Sequence, residues 1–524
     1  MKKRRIAIVY LGNTRSESPF RPQFEFIQPS GLHYIHSCVS RDRHPSMIIN
    51  QVGDNLSNEE VISRINEFEP DIVLFNQFFT TREKIKSITK QLPHRYIVGI
   101  GNHDATFHSL SLDKARFYDY YSHIDFAWQG EAENGFREFI LTISKRNQPV
   151  RINNLHNRIT HMDSLPILPH NDYSDEIGFI VTSRGCMING CEFCTTPQFY
   201  QDGWKARSIS HVHEELSNLK KSNKKFVMIC DDNFFGFSNT DLERGSEIIS
   251  LCKGLGLQVS LMTTVQQILN AESRGFLSDY TGTLVHVYLG VENGDSGSLI
   301  KLGKKCNPEQ YPTMAARAID ILMNRNIYPY LGYISFNPET TLSELHSSVQ
   351  FLYSTIQGSI YYYLSKRLEI YEGTRLFKKY EGIIDKGCFF SDESVAIAHG
   401  LFQYIKPFAE KADYLDFELA TILSMNQQKD RSLMIEYTAI KKKINRLNYE
   451  YCEEIIAISG ITGSLPRVFD LVEKYKNSII KCLKDYISII NNTLTNHDYT
   501  VLNKNFLLET VELIQRDSSE INNP

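Results

Sequence analysis

Two separate stretches of the chain alternate short apolar runs with amphipathic segments, and this repeated alternation restricts the fold more than any other feature. Strands that alternate with helices predict parallel sheets, because a parallel neighbour is usually reached through a helical crossover. The first stretch occupies residues 1–150 and the second residues 177–385. Residues 151–176 between them are rich in Asn, Asp and His, a composition typical of a linker. The chain is therefore predicted to contain two α/β domains before its C-terminal region.

The first stretch predicts a doubly wound, Rossmann-like sheet. Its strands are predicted at residues 5–11, 46–52, 71–76, 95–101 and 124–128. Helical periodicity occurs at 57–69, where Ser57 and Glu60 have the pattern of a capping box, and at 80–92. Ligands of such sheets bind beyond the carboxyl ends of the strands. That edge carries five candidate ligand-binding residues: Asn76, Gln77, Gly101, Asn102 and His103.

The second stretch predicts six βα units, which suit an open partial barrel, (β/α)6, because a closed (β/α)8 barrel needs eight. The strands are predicted at residues 177–183, 224–230, 257–263, 284–292, 327–336 and 359–371. Helical patterns separate them at 209–221, 239–254, 264–278, 308–325 and 341–356. From 386 to 524 the pattern changes, and long helical segments at 432–459 and 468–494 predict an α-helical C-terminal domain.

Three of the ten cysteines, Cys186, Cys191 and Cys194, fall within nine residues directly after a predicted strand. The apolar run near the start is too short for a signal peptide, and no run of about 18 apolar residues predicts a membrane span. We therefore expect a cytoplasmic chain, in which clustered thiols bind metal rather than pair as disulfides. The net charge of -4 argues against a stable nucleic-acid partner.

The C-x4-C-x2-C spacing favours an iron–sulfur cluster with one open iron. Three thiolates on one loop can hold three irons of a [4Fe–4S] cluster and leave the fourth free for a ligand. S-adenosylmethionine (SAM) can chelate such an iron, and one electron from the cluster can then cleave its sulfonium to a 5′-deoxyadenosyl radical. Two alternatives stay open on spacing alone. A zinc site needs a fourth ligand, for which His211 or His213 would serve, and a redox dithiol needs only two cysteines.

The order of motifs resembles the radical SAM superfamily, in its branch with an N-terminal cobalamin-binding domain, over roughly residues 1–380. Arg184-Gly185-Cys186 follows a strand, and the aromatic Phe193 precedes the last cysteine. The downstream landmarks are GWKARS (203–208), DDNF (231–234), GVENG (290–294) and KRLEIYEGTR (366–375). The family loop is C-x3-C-x2-C, so this loop carries an extra residue. Asn189-Gly190 can absorb it as a tight turn, because both residue types accept positive φ.

The resemblance implies SAM-binding roles for polar residues near the cysteine loop. Asp231, Asp232 and Asn233 are expected to accept hydrogen bonds from the SAM amino group or ribose, or else to form a loop and a helix cap. Arg207 is expected to reach the SAM carboxylate, or else to lie on the surface.

Glu292 is a further expected SAM ligand, because it ends an apolar strand where a carboxylate needs a partner. The ribose hydroxyls or the amino group of SAM would be such a partner. The alternative is a salt bridge with Lys301, Lys304 or Lys305.

For the whole chain, the resemblance implies a cobalamin-dependent radical SAM enzyme that C-methylates an unactivated carbon of a peptide or a small natural product. Flavodoxin or ferredoxin is the expected electron donor, and neither a membrane nor a nucleic acid is an expected partner. The D-x-H-x-x-G signature of a cobalt-ligating histidine is missing, so His103 is an axial-ligand candidate only. Two alternatives remain: a radical SAM epimerase, cyclase or rearrangement enzyme with cobalamin idle or absent, and a non-enzymatic protein that carries zinc or a sensing cluster.

Overall fold

The structure of the chain, a computed structural model, combines two parallel sheets with a helical C-terminal region. It describes residues 3–14, 17–18, 30–41, 43–170, 176–187, 189–356, 360–384, 389–426, 431–460, 465–495, 501 and 504–520. The α/β fold class predicted from the sequence is confirmed.

The first sheet is parallel and has six strands. These are β1 (Ile6–Tyr10), β2 (Ser46–Asn50), β3 (Ile72–Asn76), β4 (Ile97–Gly101), β5 (Phe126–Gln129) and β6 (Val150–Asn153). The order β2-β1-β3-β4-β5-β6 is that of a doubly wound sheet. Strand β6 falls at the start of the segment interpreted as a linker, so that interpretation is wrong for these residues. The strand is short and half-exposed at the sheet edge, and its polar VRIN pattern resembles a loop in sequence.

Helices cover both faces of the first sheet. They are α1 (Ser30–Arg41), α2 (Asn58–Phe68), α3 (Arg82–Thr89), α4 (His103–Ser111), α5 (Lys114–Tyr120) and α6 (Phe136–Thr142). Alternate strand residues point to opposite faces: Ala7 and Val9 join one buried cluster, whereas Ile6 and Ile8 join another that contains Leu32 of α1. The predicted capping box of Ser57 and Glu60 begins α2.

The second sheet is also parallel, and its five strands follow one another in chain order. The strands from here to the end of the α/β region are β7 (Ile177–Ile180), β8 (Ser183–Arg184), β9 (Lys205–Ala206), β10 (Phe226–Ile229), β11 (Gln258–Thr264), β12 (Leu284–Glu292) and β13 (Tyr328–Tyr333). The second sheet has the order β13-β12-β11-β10-β7, while β8 and β9 form a separate antiparallel pair.

Helices connect these strands. They are α7 (Thr196–Phe199), α8 (Ile209–Lys221), α9 (Asn239–Gly254), α10 (Val265–Ser273), α11 (Phe276–Asp279), α12 (Ser296–Lys301), α13 (Tyr311–Asn324), α14 (Leu342–Thr355), α15 (Tyr361–Leu364) and α16 (Arg375–Ile384). Crossovers between parallel strands are right-handed, so strands in chain order place their helices on one face. The opposite face, here called the inner face, carries Met228, Ser260, Met262, Tyr288 and Tyr330.

The sixth strand predicted at 359–371 is wrong. Residue 359 lies outside the described residues, Tyr361–Leu364 form α15, and only Arg367 makes a β-bridge, to Phe336. The aromatic run has high β-propensity. A helical turn instead puts Tyr361 and Leu364 on one side, where both are buried in the core shared with the C-terminal helices.

Four long helices form the C-terminal region: α17 (Glu393–Met425), α18 (Arg431–Ser459), α19 (Leu465–Thr495) and α20 (Lys504–Glu520). Helix α17 covers the amino-terminal part of the inner face, where the Phe417 ring lies 5.1 Å from His286 and 5.7 Å from Tyr328. His286 is hydrogen-bonded to Thr421 at 2.9 Å. Among the described residues, none of the helices combines the length and the apolar character needed to cross a membrane.

Candidate cluster and cofactor site

The three cysteines lie on the loop between β8 and α7, and all are partly buried. Burial raises the pKa of Cys186 to about 11 and also raises the pKa of Cys194, and the charge of the other thiols acts in the same direction. The thiols are therefore near enough to influence one another. Asn189 has the left-handed φ of 55° that was predicted for the extra residue's turn, whereas Ile188 lies outside the described residues.

The donor set suits a cluster. Among the described residues, no three side chains of His, Cys, Asp or Glu lie close enough together to surround a single metal ion. A [4Fe–4S] cluster makes a different demand, because each thiolate binds its own iron. Three thiols on one short loop fit that demand.

Asp232 ties the cysteine loop to the second sheet. Its carboxylate accepts hydrogen bonds from the Gly185 amide at 2.8 Å and from the Thr196 hydroxyl at 3.1 Å, on either side of the three cysteines. The loop is thus held at both ends by one side chain, which remains partly accessible.

Asp231 and Asn233 are fully engaged with the protein. Asp231 accepts hydrogen bonds from the amide and hydroxyl of Thr182, at 2.6 and 2.5 Å, and from Ser183 at 2.7 Å. Burial raises the pKa of Asp231 even so. Asn233 donates to the Gly236 carbonyl at 2.8 Å and accepts from Thr263 at 3.0 Å. Both residues support the strand ends around the loop.

Glu292 forms a salt bridge, which the sequence analysis gave as the alternative to a contact with SAM. Its carboxylate lies 2.8 Å from the Lys304 ammonium, and the two side chains are 12% and 9% exposed. Burial opposes the charge of Lys304, but Glu292 outweighs it and raises the lysine pKa. The next amide, that of Lys305, donates to the Cys191 sulfur at 3.4 Å. The ion pair therefore borders the cysteine loop.

The Arg207 guanidinium is buried, and all its N–H groups donate hydrogen bonds to the protein. Its donors reach the Val181 carbonyl and Glu215 at 2.8 Å, the ring and carbonyl of His211 at 2.9 and 3.3 Å, and Tyr34 at 3.4 Å. A guanidinium has five N–H groups, so none remains for a SAM carboxylate. The expected contact of Arg207 with SAM is not supported, and the side chain instead joins α8 to α1.

Phe193 anchors the loop on its other side. The ring packs against a buried cluster that includes Leu302, Leu368, Leu376 and Tyr380. The side chain before the last cysteine is thus a packing contact between the loop and the start of α16.

The predicted ligand-binding edge of the first sheet surrounds a cavity of about 280 Å³. Asn76, Gly101, Asn102 and His103 line its rim, and apolar side chains that include Ile8, Leu32, Leu74, Phe126, Trp128 and Phe136 line the part between the sheet, α1 and α6. Asn102 has a φ of 101° and caps α4, since its side chain accepts from the His103 amide at 2.7 Å. Gln77 does not line the cavity; its amide donates to Asp104 and Tyr121 at 2.8 and 3.0 Å.

The cavity ends on residues that flank the cysteine loop. The His103 ring stacks on Phe199 with 3.9 Å between centroids, and Tyr200 packs against its edge at 5.6 Å. Both aromatic residues follow Cys194 by a few positions, and both line the cavity. Burial lowers the pKa of His103 to about 4, so the ring is neutral at neutral pH.

Arg184, two residues before Cys186, closes the same junction. Its guanidinium lies 2.8 Å from Glu131 and 2.5 Å from Glu133, and all three side chains are nearly buried cavity-lining groups. The sequence analysis did not pair either glutamate with this arginine. Their partner is about 50 residues away, and no local pattern signals such a pair.

A second junction was also absent from the sequence analysis. Arg82 binds Asp104 at 2.5 Å within the first domain and Glu372 at 2.7 Å beyond the second sheet. Next to it, Gly373 packs so closely that a Cβ there would lie 2.2 Å from Phe107. Two largely buried ion-pair groups thus join the first domain to the second.

Comparisons with known proteins agree with this arrangement. No family model matches the chain. A curated relative, the uncharacterized methyltransferase PH0819 of Pyrococcus horikoshii, is 25% identical over 354 residues, which are 62% of this chain and 72% of that protein. The solved structure of the cobalamin-dependent S-adenosylmethionine radical enzyme OxsB with aqua-cobalamin and S-adenosylmethionine bound superposes with a TM-score of 0.62 at 12% identity, covering 99% of this chain and 84% of that one.

The chain has the fold of a cobalamin-dependent radical SAM enzyme. The OxsB structure with aqua-cobalamin alone gives a TM-score of 0.60 at 14% identity over the same shares. The resemblance to the radical SAM branch with an N-terminal cobalamin-binding domain is thereby confirmed at the level of the fold, and it extends over the C-terminal helices that the sequence motifs had left outside.

Proposed function

We propose that this protein is a cobalamin-dependent radical SAM enzyme that C-methylates an unactivated carbon of a peptide or a small natural product. The observation that carries the proposal is the junction of two sites. A 280 Å³ cavity at the ligand-binding edge of a doubly wound sheet ends on Arg184, Phe199 and Tyr200, which flank the loop that carries Cys186, Cys191 and Cys194. Radical formation and methyl donation need two cofactors side by side, and this junction supplies two adjoining places for them.

Cys186, Cys191 and Cys194 would hold the [4Fe–4S] cluster. When bound, the cluster and SAM supply a 5′-deoxyadenosyl radical that can take hydrogen from carbon. Asp232 keeps the loop closed around this position through Gly185 and Thr196. We assign the SAM contacts to Asp232 and Glu292, the two partly accessible carboxylates beside the loop, and a supporting role to Asp231 and Asn233.

The cavity would hold the cobalamin. Its apolar inner part and its amide-rich rim of Asn76 and Asn102 fit a ligand with a flat apolar body and polar side groups. When bound, methylcobalamin supplies the methyl group. We assign His103 to the cavity wall rather than to cobalt, because its ring is stacked on Phe199.

Methyl transfer is favoured over the other radical reactions by two observations. Arg184, Phe199 and Tyr200 line the cavity and also flank the cysteine loop in sequence, so the two proposed cofactor positions adjoin. A curated relative of this chain is named an uncharacterized methyltransferase. An external one-electron donor such as flavodoxin or ferredoxin completes the proposed reaction.

The test is to purify the protein without oxygen, reconstitute it with iron and sulfide, and quantify iron, corrinoid and 5′-deoxyadenosine formed from SAM. We expect about four irons per chain, bound corrinoid and SAM cleavage. The triple variant Cys186→Ala, Cys191→Ala, Cys194→Ala should lose the iron and the cleavage. Cys306→Ala is the matched control, because this thiol is near enough to Cys191 to be influenced by its charge yet is not on the loop.

A separate variant tests whether the cavity binds corrinoid. A Cβ at Gly101 would come no nearer than 4.0 Å to Trp128, so Gly101→Leu should fold and fill the rim. We expect it to lose corrinoid and keep iron. Cleavage by a wild-type protein that binds no corrinoid would instead favour epimerisation, cyclisation or rearrangement. Zinc in place of iron, with no 5′-deoxyadenosine, would contradict the radical reaction altogether.

A further inference from the structure

The inner face of the second sheet is open to solvent in its carboxyl-terminal part. Leu261, Leu289 and Leu331 point to the helical side and are buried. Their neighbours Met262, Tyr288 and Tyr330 point to the inner face and are accessible, Met262 to 38%. Phe417 of α17 packs against Tyr330 with 5.8 Å between ring centroids and so marks the edge of the accessible part. This accessible part, with Met262, Tyr288 and Tyr330, is here called the recess.

The recess begins beside the Glu292–Lys304 ion pair. A Cβ at Gly332 would lie 3.2 Å from the Tyr288 ring and 3.5 Å from the Glu292 carboxylate, so both side chains converge on this glycine. Glu292 and Lys304 in turn border Cys191. A radical made at the cluster would therefore be generated at the mouth of this recess.

Two phenols cross the recess towards the surface. The Tyr330 hydroxyl donates to the Tyr362 hydroxyl at 2.5 Å, and the Tyr288 ring packs on the other side of Tyr330 at 5.3 Å. The ammonium of Lys366 lies 4.0 Å above the Tyr362 ring, and Lys366 is exposed. The pair Tyr330–Tyr362 thus joins the recess to solvent through hydroxyls already in contact.

We propose that Tyr330 and Tyr362 form a relay that discharges a 5′-deoxyadenosyl radical that meets no substrate. This rests on the proposed function. A phenol O–H bond is weaker than the C–H bond formed on deoxyadenosine, so the transfer is downhill. The relay protects the cysteine loop and the recess from uncontrolled hydrogen abstraction.

The chemistry balances as two hydrogen-atom transfers and one reduction. The radical carbon takes the hydroxyl hydrogen of Tyr330; a C–H bond forms, the O–H bond breaks, and 5′-deoxyadenosine and a tyrosyl radical result. The Tyr362 hydroxyl then passes its hydrogen to the Tyr330 oxygen, which moves the radical to Tyr362. A small thiol at the surface returns a hydrogen atom to Tyr362, and two thiyl radicals combine as a disulfide.

A second side chain that could donate a hydrogen atom lies on the same face, and the test must distinguish it from Tyr330. Cys230 follows β10, and its side chain is exposed. A thiol hydrogen is also readily abstracted. This thiol is itself exposed and is hydrogen-bonded to Ser30, so a radical formed on it would bypass the two phenols.

The test uses the reconstituted holoenzyme in heavy water, with SAM and dithionite but without substrate or thiol. Hydroxyl hydrogens exchange with solvent, so discharge through Tyr330 places deuterium in the methyl group of 5′-deoxyadenosine, which mass spectrometry detects. Freeze-quenched samples should show a tyrosyl signal by electron paramagnetic resonance. We expect Tyr330→Phe to lose both the deuterium and the signal. Tyr353→Phe, a stacked surface tyrosine far from the recess, is the matched control and should keep both.

Tyr362→Phe separates the two steps. It should keep the deuterium, hold the radical on Tyr330, and inactivate after fewer turnovers even when glutathione is added. Unlabelled 5′-deoxyadenosine from the wild type, or label that disappears in Cys230→Ala but persists in Tyr330→Phe, would overturn the relay alone. No 5′-deoxyadenosine at all would overturn the proposed function, and the relay with it.

Discussion

Arg184 and Arg207 are both buried arginines near the cysteine loop, yet their partners give them different roles. The Arg207 guanidinium contacts α8, α1 and the Val181 carbonyl, with Glu215 at 2.8 Å as the charge partner. Arg184 faces the cavity and pairs with two glutamates of the first domain. Burying a guanidinium is costly unless carboxylates and carbonyls satisfy it, so the surrounding acceptors decide what each arginine can still do.

His286 allows a test of how burial of one side chain changes the pH dependence of stability. It is 3% exposed, and burial lowers its pKa to about 3. The unfolded-state pKa is about 6.5, so between these values the unfolded chain binds a proton that the folded chain does not. The free energy of unfolding therefore falls as the pH falls below about 6.5.

For His286→Phe we expect this acid sensitivity to shrink. From about pH 7 to about pH 5, the wild type should lose roughly 2 kcal/mol more unfolding free energy than the variant, measured by urea unfolding. His94→Phe, which replaces an exposed histidine, serves as the control and should behave as the wild type. Equal pH dependence in the wild type and in His286→Phe would contradict the assignment.

At the scale of elements, the cysteine loop depends on the short β8–β9 pair. Ser183 pairs with Ala206 and Arg184 with Lys205, which brings the two ends of a 20-residue excursion together. Gly185 makes this closure possible. Its φ is 88°, and a Cβ there would lie 2.2 Å from the Gly203 carbonyl oxygen. Only glycine accepts both the backbone conformation and the contact.

Gly185→Ala should therefore open the loop and abolish cluster assembly. We expect little iron after reconstitution, while the far-ultraviolet circular dichroism stays near that of the wild type because the two sheets do not depend on this hairpin. Gly254→Ala is the matched control, since no atom lies within 4 Å of the added methyl group. Full iron content in Gly185→Ala would show that the loop tolerates a different closure.

At the scale of the whole molecule, buried ion pairs join the domains that contain the two sheets. Arg184 spans the junction to Glu131 and Glu133, and Arg82 spans it to Glu372. Removing one partner of such a group leaves buried carboxylates without compensation, which usually costs several kcal/mol. An exposed ion pair contributes much less.

Arg184→Met should lower the free energy of unfolding by roughly 3–5 kcal/mol and release corrinoid from the holoenzyme. Lys225→Met removes the exposed ion pair with Glu176, whose side chains are 56% and 32% exposed, and should cost under about 1 kcal/mol. Chemical unfolding and corrinoid retention after gel filtration measure both effects. A difference between the two variants of less than about 1 kcal/mol would mean that the junction does not depend on this charge.

Several features could be predicted from the sequence because their physical causes are local. Strand and helix periodicities, such as LVHVYLGVE at 284–292, report which face is buried, and this strand has those bounds. The capping box of Ser57 and Glu60 spans three residues and is formed as predicted. The spacing of Cys186, Cys191 and Cys194 likewise placed the three thiols on one loop.

Tertiary structure decided what depends on partners distant in the chain. Tyr361–Leu364 has the composition of a strand but forms a helical turn, because packing against α17 outweighs a weak local preference. Glu292 has three lysines within reach in sequence, and only the fold selects Lys304. Arg82 finds Glu372 290 residues away. Long-range pairs of this kind leave no periodic trace in the sequence, so the junction between cavity and cysteine loop could be recognised only in the folded chain.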